Sequence, residues 1–70
     1  MKLHYDQETD SLYIDLSDSP SATSKEVSDD VVIDFGDAGQ IVGFDIQHAS
    51  RHLDLSRIET THLPTPAAAA

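Results

Sequence analysis

Val31-Val32-Ile33-Asp34-Phe35-Gly36-Asp37-Ala38-Gly39-Gln40-Ile41-Val42-Gly43-Phe44-Asp45-Ile46, residues 31–46, decides the fold. Side chains alternate between the two faces of a strand, so Val31, Ile33 and Phe35 share one face and Val32 and Asp34 the other. Gly36 and Gly39 flank a four-residue break and tolerate positive φ, which predicts a tight hairpin. The returning arm turns Val42, Phe44 and Ile46 toward the core and leaves Gly43 and Asp45 outside. Gly43 has no side chain to pack, and this points to a bulge or to the close approach of another backbone.

The N-terminal third repeats the pattern. Lys2–Asp6 alternates with Leu3 and Tyr5 on one side, and Ser11–Leu16 alternates with Leu12, Ile14 and Leu16 inward and Tyr13 and Asp15 outward. The polar run Gln7–Asp10 between them makes a second hairpin. Ser17–Ser21 is a loop, and Thr23–Val27 is a short edge strand whose Lys25 and Glu26 discourage edge-to-edge pairing. Ser28-Asp29-Asp30 is a turn. After Ile46 the period changes, and Ala49, Leu53 and Ile58 are spaced for one helical face, predicting a short helix over about 49–55 lying across the sheet. Ser56-Arg57-Ile58-Glu59 has the form of a capping box for a second turn. The expected fold class is α+β, mostly β: an antiparallel β-meander of four to five strands with a short C-terminal helix on one face. Residues 1–58 form a single small domain, and 59–70, with two prolines and four terminal alanines, are expected to be a disordered tail.

Seventy residues bury only about 60% of the unfolded surface, so a chain of this size is marginal on its own. Small domains escape through disulfides, metals or association; there is no cysteine, which leaves association as the expected help and a homo-oligomer as the expected state. The absence of cysteine and of any apolar run long enough to span a bilayer suits a soluble, cytoplasmic chain. Thirteen acidic residues against four Lys and Arg give a net charge of −9, which repels nucleic-acid phosphates and anionic membranes and steers basic partners.

Chemistry is sparse. His48 and His52 are four apart, a metal-ligand spacing on a helix, with Asp45, His4 or His62 as a third ligand; two solvent-facing imidazoles are the plainer account. The carboxylate pairs Asp29-Asp30, Asp6 with Glu8 and Asp10, and Asp34 with Asp37 all lie in or beside turns, where Asp accepts backbone hydrogen bonds. The 6–10 run has the density of a hard-cation site but not the glycine and glutamate spacing of a calcium loop. No residue is placed as a nucleophile beside a base, so no catalytic residue and no cofactor is expected. Tyr13 breaks the inward set of its strand and therefore belongs to the outer face, where it marks an interaction surface together with Asp15 and Asp34.

The runs Tyr5–Leu16, Asp30–Phe35 and Gly39–Ile46 followed by Ala49-Ser50 resemble, in order and spacing over residues 2–53, the bacterial domain-of-unknown-function family number 2283. Ser11 stands where the family usually has Ala, Asp45 where it has Glu, and Gln47-His48 where an apolar residue and an Asp or Asn often occur. The resemblance implies a small, mostly β domain of uncharacterised function, often encoded beside a toxin-like protein, and attaches no catalytic residues. The expected function is therefore a non-enzymatic, acidic interaction module that is antitoxin-like and binds a basic protein. Asp15, Asp18, Asp29, Asp30 and Asp34 would steer the encounter. The alternatives are a homo-oligomeric structural protein with no other partner and a weak metal binder using His48 and His52.

Overall fold

The computed structural model describes residues 1–64, so positions 65–70 of the expected tail lie outside the described residues. Five strands, β1 (Lys2–Asp6), β2 (Ser11–Asp15), β3 (Thr23–Ser28), β4 (Val31–Phe35) and β5 (Ile41–Ile46), precede one turn of helix, α1 (Ala49–His52). All pairings are antiparallel, which is the mostly β, α+β class that the alternating pattern predicts. The order across the sheet is β1-β2-β5-β4-β3. The β1–β2 and β4–β5 hairpins thus join side by side through β2 and β5, and β5 becomes the central strand. The connection from β2 leads to β3 at the far edge and is tied at its ends by Leu16 N–H to Val42 C=O (2.9 Å) and Ala22 N–H to Phe35 C=O (2.7 Å).

Register places residues opposite one another on a shared face. One face carries the rows Leu3–Ile14–Phe44–Ile33–Lys25 and Tyr5–Leu12–Ile46–Val31. The other carries His4–Tyr13–Asp45–Val32–Glu26 and Lys2–Asp15–Gly43–Asp34–Ser24. The sheet is therefore apolar on one side and acidic on the other. A β-bulge sits where expected near Gly43: Asp34 faces Gly43 but Phe35 faces Ile41, leaving Val42 as the extra residue. Gly39, at φ 83°, supplies the left-handed position of the β4–β5 turn.

The core is small. Only Leu12, Val42 and Ala49 are buried apolar residues among those described, and Ile14, Ile33, Phe44 and Ile46 are half-buried. The helix is shorter than the spacing suggests. Leu53 is extended, at φ −131° and ψ 150°, so α1 stops at His52 rather than reaching Leu55. The expected capping box at Ser56 starts no helix. Instead the Ser56 N–H (3.1 Å) and hydroxyl (2.6 Å) both donate back to Asp54 Oδ1, a local turn that competes with helix. The chain beyond α1 returns over the β1–β2 half of the apolar face, where Leu53, Leu55 and Ile58 wall a groove of about 540 Å³ against Leu3, Tyr5 and Ile14. Among the described residues, no helix is long and apolar enough to cross a membrane.

Candidate functional site

Antiparallel topology gathers the 7–10 turn, the 29–30 turn and the Gln47–His52 corner at one end of the sheet. Two aspartates, one on each turn, hold that corner. Asp10 takes the left-handed conformation that Asp tolerates (φ 55°). Its backbone C=O accepts the Ala49 N–H (2.9 Å), and its carboxylate accepts the Ser50 N–H (3.1 Å), the Ser50 hydroxyl (2.7 Å) and the Tyr5 phenol (2.7 Å). His48, the residue that should cap α1, is itself left-handed (φ 52°) and makes no side-chain cap bond. The orphan N–H groups of the first helical turn are therefore met by a residue forty positions upstream.

Asp30 does the matching work on the other side. Its C=O accepts the Gln47 N–H (2.7 Å), and its two carboxylate oxygens each meet one imidazole: Oδ1 with His48 Nδ1 at 3.0 Å and Oδ2 with His52 Nε2 at 2.8 Å. Each ring donates when the nitrogen facing the carboxylate carries its proton. The hydrogen bonds from His52 and then His48 hold the Asp30 carboxyl below its ordinary value. Those from Ser50 and Tyr5 do the same for Asp10.

The four-residue spacing of His48 and His52 does bring the two imidazoles together, but onto a carboxylate. Their proposed partners are elsewhere: His4 and Asp45 belong to the acidic sheet face, and His62 lies at a bend in the segment after α1. Among the described residues no group of three or more His, Cys, Asp or Glu is arranged to hold a metal ion. Of the turn carboxylates, Asp6 behaves as a turn residue, its Oδ1 accepting the Glu8 N–H at 3.0 Å.

Tyr13, Asp15 and Asp34 share the acidic face, as alternation predicts. Tyr13 does not stand free on it. Its ring lies across Gly43 on β5, and its hydroxyl donates to Asp34 Oδ2 on β4 at 2.9 Å, while Ser24 Oγ on β3 donates to Oδ1 of the same carboxylate at 2.6 Å. A Cβ built on Gly43 would lie 2.6 Å from Tyr13 Cζ, inside contact distance. The close approach signalled by this glycine is thus first a tyrosine side chain and then a backbone, the Ile14 carbonyl oxygen, 3.2 Å from the same Cβ position. The bond to Asp34 raises the Tyr13 phenol above its ordinary value, helped by partial burial and by the charges of Asp15 and Asp45.

Sequence reasoning missed both Asp10 and Asp30 as organisers of the corner. Both are ordinary turn aspartates by composition, and the partners that distinguish them are 18 to 40 residues away. The family model described as a protein of unknown function (DUF2283) matches residues 2–50, well over half of the chain. No curated protein and no solved structure matches it.

Proposed function

Because the chain belongs to DUF2283, a family of proteins of unknown function, we propose its role from the sheet itself: a non-enzymatic module whose acidic face docks a small basic protein. The observation that carries this reading is the segregation of charge. Asp6, Asp15, Asp34, Asp45 and Glu26 share one face with a single lysine, Lys2. The ion pairs among the described residues, His48–Asp30, His52–Asp30 and Arg57–Glu59, are all elsewhere. Like charges on one surface repel, and a cationic surface laid on them relieves that repulsion and accelerates encounter. The Tyr13–Asp34–Ser24 chain ties side chains of β2, β4 and β3 together across the centre of the face. A toxin-like neighbour of the kind the family resemblance implies has the right chemistry if it is basic.

The test separates this face from bulk acidity. Asp15→Asn, Asp45→Asn and Glu26→Gln are combined in one bait, and Glu8→Gln, Asp37→Asn and Glu59→Gln in another of equal net charge. Both are used to capture partners from the native cell beside the unchanged chain. A basic protein held by the unchanged and control baits, lost from the face variant and released by salt is the expected result. Equal capture by the two variants overturns the proposal.

A further inference from the structure

The opposite face poses a separate problem, independent of the acidic one. The apolar face is open on its β1–β2 half and on the segment that returns over it. Leu3 and Tyr5 on the sheet are 45% and 40% exposed, and Ile58 on the returning segment is 74% exposed.

We propose that a second copy of this chain covers the apolar face, the two sheets packing about a two-fold axis parallel to the strands. The face is self-complementary under that operation. Its β1–β2 half carries a ridge, the segment Leu53–Ile58; the groove beneath that segment takes no lining residue from the β4–β3 half, where Val31, Ile33 and Phe35 have only partial cover. A two-fold parallel to the strands lays the ridge of each copy on the bare half of the other, as an isologous interface requires. It also brings the β3 edge of one copy over the β1 edge of its partner. Lys25, on the apolar face at the β3 edge, then approaches the partner's Asp54, at the rim of the groove.

Charge selects a copy of the same chain for this face. Two molecules of net charge −9 cannot meet acidic face to acidic face without opposing five carboxylates to five. The apolar side carries Lys25, Arg57 and Asp54, with Arg57 already paired to Glu59 at 3.0 Å, so it is close to neutral. It is the surface on which like-charged copies can associate, and it buries what a small core leaves open.

Sedimentation of the full chain over roughly a hundredfold range of concentration should show a monomer–dimer equilibrium, with a melting temperature that rises with concentration. Ile58 is exposed in the single chain, so Ile58→Asp should keep the β-sheet circular dichroism while weakening association on the order of 100-fold. Zero-length carbodiimide coupling of a mixture of light and heavy-isotope chains should join Lys25 of one copy to Asp54 of the other. That result supports the arrangement on the unchanged protein even if the variant fails to fold. A monomer at every concentration, a dimer that Ile58→Asp and Leu3→Asp leave equally tight, or dimers coupled only through other pairs would each overturn it.

Discussion

Tyr5 and Tyr13 stand on neighbouring strands and end in the same bond, a phenol hydroxyl donated to an aspartate carboxylate, yet they do different work. Tyr5 reaches Asp10 at 2.7 Å, five residues along its own hairpin, from the apolar face and half in solvent. Tyr13 reaches Asp34 at 2.9 Å, twenty-one residues away, from the acidic face, crossing the central strand to do so. The first is a local staple beside a turn that Ser50 already holds through the same carboxylate. The second ties β2 to β4 over β5, and it exists because position 43 has no side chain. One bond type thus serves as redundant local closure in one place and as a long-range tie, dependent on a single glycine, in the other.

The largest effect should come from removing the space under Tyr13. Gly43→Ala puts a methyl group into the phenol, displaces the ring and breaks the Asp34 bond, offset in part by the lower chain entropy of alanine. The net loss should be about 1–2 kcal/mol, seen as a fall in melting temperature of roughly 5–15 °C. In a Tyr13→Ala background the same substitution should cost clearly less, since only the Ile14 carbonyl oxygen, 3.2 Å from the added carbon, still crowds it. If Gly43→Ala is equally harmful there, the glycine serves the bulge and not the tyrosine. Next is Tyr13→Phe, which keeps the ring and deletes the hydroxyl; about 1 kcal/mol is expected from denaturant unfolding, since Ser24 still satisfies one Asp34 oxygen. Tyr5→Phe should lower stability less than Tyr13→Phe, because Asp10 keeps its Ser50 partners. A reversal of that order would show that the hairpin staple outweighs the tie across the sheet.

The same contrast marks what could be read from the chain. The strands, the two faces and the outward placement of Tyr13 all follow from period two, a property of neighbouring residues. The glycine at 43 was readable as a sign of close approach, but its occupant was not, because Tyr13 precedes it by thirty residues and joins it only through the β2–β5 pairing. That pairing is also what places β5 at the centre, and nothing local specifies it. The helix ran two ways for a similar reason. Its apolar spacing was legible, while its cap came from Asp10 and its early end from Asp54 and Ser56. His48 and His52 were legible as a pair, but not Asp30 as the group they share.

The smallest and sharpest test is alkaline titration. The chain has two tyrosines and no tryptophan, so phenolate absorbance reports only these side chains. Both phenols are raised above the ordinary value of 10.0, first by the hydrogen bond each donates to its aspartate. A raised value means that the folded chain holds the proton more tightly than the unfolded one. The stability contributed by each bond is therefore complete below pH 10.0 and is lost as pH climbs through the raised value. The two differ in the field they sit in: Asp10 and Asp6 act on Tyr5, but Asp34, Asp15 and Asp45 act on Tyr13. Negative charge nearby opposes phenolate formation. Tyr5→Phe leaves Tyr13 as the only chromophore, and adding Asp34→Asn should bring that phenol back toward the ordinary value. If it does not move, the carboxylates of the acidic face do not act on Tyr13, and the electrostatic argument for a basic partner on that face loses its footing.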